Sequence, residues 1–339
     1  MRRRLDRRII LLAGVLVALV SAAYLLVALS TAEGRPVAPL DDAYITLQYA
    51  RQIAQGQPYR YNDGDPPTTG MTSPLYGFLM AGIYLLGFRG ELLIGFAVGV
   101  GVIWLALTVW LTYRLAMRLV DTPPWAAVAA ILVALTGAVQ WGCFNGMETG
   151  FFTVLTLAAL DAFVTRRFGW CAIWLGVAGL TRPEGQILAG LMGAAFLADH
   201  LLRRRPTGWK RPALLLGSAV LAGFVPGVIN WALTGTTSAA GLQAKSWFLN
   251  VPAVPADVLR SALISYRRLI LGRFMGWGRF GTWFVPPGLL LLMVLGWIGL
   301  ALRRRWGVLL LTVLWFFGGT LAMATLITAM WHLGRYQVP

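Results

Sequence analysis

The chain has 339 residues, of which 58% are hydrophobic and only 12% are charged, and its mean hydropathy is +0.69. These proportions exclude an ordinary soluble domain and are typical of a protein that crosses a membrane several times. Lysine and arginine number 29 against 13 acidic residues, a net charge of +16. Most of the excess lies in short clusters between apolar segments, where basic loops set membrane topology, so we reject a nucleic-acid partner.

The apolar segments predict an all-α bundle of about nine membrane helices, since a helix needs roughly 20 apolar residues to cross the hydrocarbon. The first segment is interpreted as a retained helix rather than a cleaved signal peptide, because its apolar run is long and no cleavage site is evident. The predicted spans lie near 9–29, 91–113, 124–142, 149–165, 169–181, 183–200, 211–232, 286–302 and 306–330.

The segment 75–87 is apolar but short, and its role decides the topology. If it does not span, every compact basic cluster lies on the cytoplasmic side with the arginine-rich N-terminus, as the positive-inside rule requires. We therefore predict a juxtamembrane helix at 75–87 and a single multi-pass domain in the cytoplasmic membrane. Two long loops, 30–90 and 233–285, then face outward. The clusters are Arg114 with Arg118, Arg166 with Arg167, Arg203 to Arg205 with Lys210 and Arg211, and Arg303 to Arg305.

The first outer loop carries two adjacent carboxylates, Asp41 and Asp42. They precede a predicted amphipathic helix from about Ala43 to Gln55. Aspartate is a favoured N-cap, worth about 1 kcal/mol of helix stability. Capping accounts for one acid, whereas a close pair of carboxylates suits a general base, and the spacing leaves both interpretations open. The expected apolar face of the helix carries Ile45, Tyr49 and Ile53.

Other polar residues near the predicted outer face allow two interpretations each. Tyr59, Tyr61 and Tyr76 either line a sugar or phosphate pocket or form an interfacial aromatic belt. Ionisable residues in 145–149 and 181–185 are candidates for function because they lie at span ends. The alternative is that Arg182 pairs with Glu148 or Glu184 and simply holds the bundle together.

The second outer loop breaks the positive-inside bias, because it carries Lys245, Arg260, Arg267, Arg268, Arg273 and Arg279. Either a negatively charged ligand on the outer face or anionic lipid of the outer leaflet accounts for this charge. His332, Arg335 and Tyr336 are predicted on the same face. No His or Cys cluster has the spacing of a transition-metal site, and the chain has no phosphate-binding loop of the GxxxxGK type.

The order of these motifs resembles the GT-C fold glycosyltransferases, which include protein O-mannosyltransferases, lipid A aminoarabinose transferases and mycobacterial arabinosyltransferases. The resemblance covers nearly the whole chain. Its motifs are Asp41-Asp42-Ala43-Tyr44-Ile45, Tyr49-Ala50-Arg51, Tyr61-Asn62-Asp63-Gly64, Thr72-Ser73-Pro74-Leu75-Tyr76, Asn145-Gly146-Met147-Glu148-Thr149, Thr181-Arg182-Pro183-Glu184-Gly185, and Gly334-Arg335-Tyr336 followed by Pro339.

This resemblance implies inverting transfer of a sugar from a polyprenyl-phosphate donor to a glycan, lipid or protein acceptor on the extracytoplasmic face. It maps the catalytic base onto Asp41, while Asp42 orients it, assists it or binds a divalent cation, the one cofactor considered. Many relatives have Asp-Glu where this chain has Asp-Asp, so the division of roles stays open. Arg182, Lys245 and Arg335 are the cations expected to bind the leaving phosphate. The other expected substrate-binding residues are Tyr44, Arg51, Tyr61, Tyr76, Glu148, Glu184, His332 and Tyr336.

Two other functions fit a membrane protein with this charge pattern. A transporter or flippase of lipid-linked sugars would carry ionisable residues near mid-bilayer and an inverted repeat. A non-catalytic binder of lipid-linked glycan would keep the basic loop without needing the acid pair. The acids cluster in outer loops and no repeat is evident, which favours the enzyme. The C-terminal part of the family is not in this chain, so we expect further sequence beyond Pro339.

Overall fold

A computed structural model describes residues 2–202, 208–249, 254–274 and 288–326. Within these ranges every regular element is a helix and no β-strand forms, which confirms the all-α prediction. The helices are α1 Arg2–Thr31, α2 Asp41–Ala54, α3 Pro74–Leu85, α4 Glu91–Gly99, α5 Gly101–Val120, α6 Pro123–Leu135, α7 Gly137–Phe144, α8 Thr149–Val164, α9 Phe168–Thr181, α10 Pro183–Leu202, α11 Lys210–Ala222, α12 Val225–Thr234, α13 Ala240–Lys245, α14 Pro255–Arg268, α15 Leu289–Leu302 and α16 Trp306–Ala324. A 3-10 turn at Trp247–Leu249 precedes α14, and a π-helical turn at Leu269–Phe274 follows it.

Within the described ranges, five helical segments are long and apolar enough to cross a membrane, which indicates a multi-pass membrane protein. They are Ile9–Thr31, Glu91–Val120, Pro183–Leu202, Lys210–Thr234 and Trp306–Ala324. Helices α8, α9 and α15 are apolar but shorter. The 16 residues of α8 extend about 24 Å at 1.5 Å per residue, less than the roughly 30 Å of hydrocarbon. A bundle of nine full spans therefore stays a prediction.

The predicted span 124–142 is a bent pair of helices rather than one straight helix. Helices α6 and α7 meet at an angle of 60°, and Thr136 between them has an extended backbone. The break frees carbonyls at the end of α6, and the Gln140 side chain donates a hydrogen bond of 2.8 Å to one of them, on Ala134. A side chain that takes up a freed carbonyl in this way stabilises a broken helix inside an apolar bundle. If the pair is one span, the described part has six.

The principal core lies where α8, α9, α10, α11 and α16 pack together. Its buried side chains include Leu175, Leu188, Met192, Leu216 and Leu311. A second cluster joins α1, α5 and α6 around Leu105 and Val109. Helix α3 has 12 residues, which is too short to cross the hydrocarbon at 1.5 Å per residue, and it packs against α2 instead. This arrangement agrees with a helix that lies beside the bundle.

The two ends of the bundle differ in charge. At one end Arg114 and Arg118 of α5 both reach Asp161 of α8, at 2.9 and 2.7 Å, and Arg303 donates to the Leu119 carbonyl. Arg166 pairs with Asp199 at 3.2 Å beside them. We call this the basic end, defined by Arg114, Arg118, Arg166 and Arg303. The opposite end of α8 begins at Thr149, directly after Glu148. We call it the acidic end, defined by Asp41, Asp42, Glu148 and Glu184.

Candidate functional site

The acid pair forms the first turn of α2. Leu40 occupies the N-cap position with extended backbone and makes no side-chain cap, so neither aspartate is the N-cap that one interpretation expected. Asp41 Oδ1 accepts a hydrogen bond of 2.9 Å from the backbone N–H of Asp42. Both carboxylates still lie in the first turn of α2, at the positive end of the helix dipole.

The predicted helix after the acid pair is confirmed as α2, but its buried face is rotated from the expected one. Tyr49 is buried as predicted, whereas Ile45 is 37% exposed. Gln52, which is not on the predicted apolar face, is buried. Helix α2 packs on α3 through Leu47 and Ala50, and this contact turns Ile45 outward. The spacing of apolar residues predicts that α2 has an apolar face, but it does not predict which residues of that face contact α3.

The second outer loop reaches the acid pair through Lys245 at the end of α13. Its Nζ lies 3.5 Å from Asp42 Oδ2, although the two residues are 203 positions apart in the chain. The side chains are 31% and 23% exposed, and an ion pair of this exposure contributes roughly 0–1 kcal/mol to stability. The contact therefore adds little stability, but it shows that the second outer loop lies next to the acid pair.

A backbone contact joins the two outer loops beside this ion pair, and aromatic packing orders the first loop where they meet. The Ala240 N–H donates to both the carbonyl and the hydroxyl oxygen of Thr69, at 3.0 and 3.1 Å. The Tyr49 hydroxyl lies 2.5 Å from the Thr68 hydroxyl, and Tyr49 packs with Tyr59 and Met71. The loops predicted to face the same side thus contact each other.

A second group of charges, Glu148, Arg182 and Glu184, is buried at the acidic end. Arg182 Nη1 lies 3.0 Å from Glu148 Oε1, while its Nη2 and Nε reach the two carboxylate oxygens of Glu184 at 2.6 and 3.3 Å. The guanidinium also lies 5.7 Å from the centre of the Phe152 ring. Both ion pairs proposed from the sequence therefore form. We call these three residues the buried triad, and its two carboxylates outnumber its one cation.

Local sequence explains why the buried triad lies at helix breaks. Arg182 precedes Pro183, and a residue before proline is driven out of the helical region, so α9 ends and α10 begins there. Gly146 has φ +76 in the turn between α7 and α8, a conformation that suits glycine. The Asn145 side chain stabilises this turn by accepting a hydrogen bond of 2.9 Å from the Met147 N–H.

The same turn connects the buried triad to the acid pair. A Cβ added at Gly146 would lie 3.2 Å from the Cβ of Ala38 and 3.5 Å from that of Ala43, which follows Asp42 directly. The Tyr76 hydroxyl donates to the Gly146 carbonyl at 3.5 Å. The motifs that contain Ala43, Tyr76 and Gly146 are far apart in the chain, and they pack against one another at the acidic end.

The remaining predicted site residues differ in the exposed fraction of their side chains. Tyr44 is 40% exposed, and its hydroxyl accepts a hydrogen bond from the Ala38 N–H. Tyr61 is 38% exposed and packs edge-on against Tyr49, with ring centres 5.5 Å apart. Arg51 is exposed in the last turn of α2. Tyr76 is 1% exposed, so its ring supports the packing and offers no surface to a ligand in this structure. His332, Arg335 and Tyr336 lie outside the described residues.

A groove of about 650 Å³ runs between α10, α15 and α16, and the sequence reading missed it. Glu184 of the buried triad lines it toward the acidic end, and Arg303 and Leu119 line it toward the basic end. Apolar side chains such as Ile187, Leu300 and Phe316 form most of the remaining wall. The signal available in the sequence was a set of glycines on the facing helices, because small residues leave space between them. They are Gly296, Gly299 and Gly319.

The described residues of the acidic end do not form a metal site. Among the residues that the structure describes, no group of three His, Cys, Asp or Glu side chains could hold a metal ion. Asp42, the residue considered as a metal ligand, has an ammonium group 3.5 Å from its Oδ2, and that charge would repel a divalent cation.

Comparison of the chain with protein-family models, with curated proteins and with solved structures finds no match. The family assignment therefore rests on the ordered motifs and stays a prediction.

Proposed function

We propose that this chain is an inverting glycosyltransferase of GT-C type, which moves a sugar from a polyprenyl-phosphate donor to an acceptor hydroxyl at the extracytoplasmic face of the membrane. The observation that supports this most strongly is the contact between Asp42 and Lys245. It brings the acid pair of the first outer loop to a cation of the second outer loop, so that a base for the acceptor hydroxyl lies near a ligand for the leaving lipid phosphate.

Asp41 is the proposed general base. Its carboxylate is exposed at the start of α2, whereas Asp42 is drawn toward the Lys245 ammonium. The acceptor oxygen bonds to the anomeric carbon, and its proton passes to Asp41. The bond from the anomeric carbon to the phosphate oxygen breaks, and the polyprenyl phosphate leaves with the electron pair. A positioned base of this kind supplies on the order of 10²–10⁴-fold in rate.

Lys245 is the proposed ligand of the leaving phosphate, in preference to Arg182. The Arg182 guanidinium is already engaged by two carboxylates and is only 8% exposed, so a phosphate would have to displace one of them. The Lys245 side chain is 31% exposed, and its contact to Asp42 is long, at 3.5 Å. An ammonium carries three donors, so Lys245 can orient Asp42 and bind a phosphate oxygen at the same time.

The groove between α10, α15 and α16 is the proposed site of the donor's lipid chain. Its apolar wall offers a polyprenyl chain a protein surface in place of lipid, and its polar limit at Glu184 belongs to the same corner as the acid pair. A donor held there keeps its phosphate at the acidic end. Holding both substrates at one interface supplies part of the catalysis through proximity.

The test is sugar transfer by the reconstituted protein from a panel of synthetic polyprenyl-phosphate hexoses and pentoses to isolated cell-envelope acceptors. We expect Asp41→Asn to lower transfer by about 10²-fold or more, since a general base contributes at least that much. Asp63→Asn is the matched control, because Asp63 is an exposed carboxylate of the same loop in a turn. Both variants should elute as the wild type does on size exclusion in detergent.

Full transfer by a folded Asp41→Asn variant would refute the role of Asp41. Donor binding without transfer by the wild type would favour a non-catalytic binder. Movement of the intact lipid-linked sugar between leaflets would favour a flippase.

A further inference from the structure

Helix α14 carries three of the six basic residues by which the second outer loop breaks the positive-inside bias. Its three arginines and one aspartate are all exposed. Its inner face, with Val258 and Ala262, is buried. Lys245, by contrast, turns toward Asp42. The cations of the second outer loop therefore fall into two groups with different surroundings. The arginines are Arg260, Arg267 and Arg268.

The outer surface of α14 is amphipathic as well as basic. Leu259 and Leu263 are 61% and 52% exposed and lie one turn apart, so they form a stripe on the surface turned away from the protein. At 100° per residue, Arg260 and Arg267 project next to this stripe. Asp257 projects from the opposite edge. Arg268 projects beside Asp257, because the eleven residues that separate them make about three full turns. An exposed apolar stripe with arginines along one side is typical of a helix that lies in a membrane interface.

The packing partner of α14 places it at the depth of that interface. Leu269, directly after α14, packs with Met323 and Ala324 at the end of α16 and with Leu326 beyond it. Helix α16 is long and apolar enough to span a membrane. A helix that packs at the end of a span lies where hydrocarbon gives way to lipid headgroups.

We propose that α14 is a membrane-surface helix that binds the anionic phosphate headgroups of the leaflet at the acidic end. Leu259 and Leu263 enter the acyl boundary, and Arg260 and Arg267 bind headgroup phosphates. Charge complementarity selects this partner, because α14 carries three cations against one acid. The assignment does not depend on the proposed transferase activity.

The test is the depth of single fluorescent labels on the full chain in vesicles of phosphatidylcholine, with or without phosphatidylglycerol. Leu263→Cys and Leu259→Cys report on the stripe, and Asp257→Cys reports on the opposite edge. The native Cys143 and Cys171 are buried, so labelling selects the introduced thiol. We expect labels at 263 and 259 to be quenched by brominated lipid and the label at 257 to be quenched by aqueous iodide.

Removing the arginines should weaken this insertion only where the lipid is anionic. A basic residue near an anionic surface strengthens membrane binding by about fivefold. Arg260→Gln combined with Arg267→Gln should therefore lower the ratio of membrane-inserted to detached α14 by about 25-fold in phosphatidylglycerol vesicles. Equal iodide quenching at 257, 259 and 263 would overturn the proposal. Protection of 259 and 263 from both quenchers would also overturn it, because a protein partner or second copy would then cover the stripe.

Discussion

Two acid pairs lie in the same corner of this protein, and they are held in opposite ways. Asp41 and Asp42 begin α2, where one is exposed and the other is 23% exposed beside a lysine. Glu148 and Glu184 begin α8 and α10 and enclose Arg182, with all three side chains largely buried. Both pairs use helix N-termini, where the dipole favours negative charge. Only the first pair includes an exposed residue, Asp41, whereas the side chains of Glu148 and Glu184 are 4% and 16% exposed.

This difference separates structural charges from charges available for chemistry. Buried ions lose hydration and must satisfy each other, so the buried triad holds three helix ends in fixed positions. An exposed carboxylate keeps its hydration until a substrate replaces the water, so it can accept a proton during a reaction. We therefore assign stability to the buried triad and chemistry to the acid pair.

The largest effect is expected when the cation of the buried triad is removed. Arg182→Met leaves two carboxylates buried without a counter-ion, which typically costs about 3–5 kcal/mol of unfolding free energy. The measurement is the midpoint of denaturant unfolding in detergent micelles. Arg166→Met is the control, because its ion pair with Asp199 is 49% exposed on the arginine side and is worth roughly 0–1 kcal/mol. Equal midpoints for the two variants would remove the structural role of the triad.

The same assignment predicts that Lys245 matters for activity rather than for stability. Lys245→Gln should lower kcat/KM for the donor by about 10- to 150-fold, which corresponds to the roughly 1.5–3 kcal/mol of a charge-assisted hydrogen bond. The unfolding midpoint should change little, because the pair with Asp42 is partly exposed. Lys210→Gln, an exposed lysine at the start of α11, is the control. A large loss of stability without a change in kcat/KM would reverse the assignment.

Moving the buried triad without changing its charge should have a smaller effect. A Cβ at Gly185 would lie 2.3 Å from the carbonyl carbon of Ala178, so Gly185→Ala forces α9 and α10 apart. Overpacking of this kind costs about 1–3 kcal/mol. Gly193→Ala is the matched control on the same helix, because no atom lies within 4 Å of its added Cβ. If the two variants unfold at the same denaturant concentration, the close approach of α9 and α10 contributes nothing.

Chelation of divalent cations is expected to have the smallest effect. Because Asp42 lies beside the Lys245 ammonium, EDTA should leave donor transfer unchanged. The measurement is the initial rate of transfer with and without EDTA. A loss that added Mg²⁺ or Mn²⁺ reverses would show that Asp42 exchanges Lys245 for a metal.

Much of the local structure was predictable from the sequence, because it depends on neighbours in the chain. Apolar length indicated the membrane helices, and the pattern after Asp42 predicted α2 to within two residues at its start and one at its end. The predicted spans also leave gaps between 142 and 149 and at 182, and the structure has helix ends at both places. The two possible partners of Arg182 were also both identified, since few opposite charges exist at that level of the bundle.

The sequence by itself thus determined an all-helical membrane protein whose acidic residues lie mainly in loops and at the ends of helices. Only the tertiary structure decided that Lys245 meets Asp42, that both glutamates share Arg182, and that Ile45 turns outward. The physical reason is distance along the chain: the first contact joins residues 203 positions apart, and the Glu148–Arg182 pair joins residues 34 apart. Helical periodicity describes each segment alone, whereas these contacts depend on which faces of separate helices pack together.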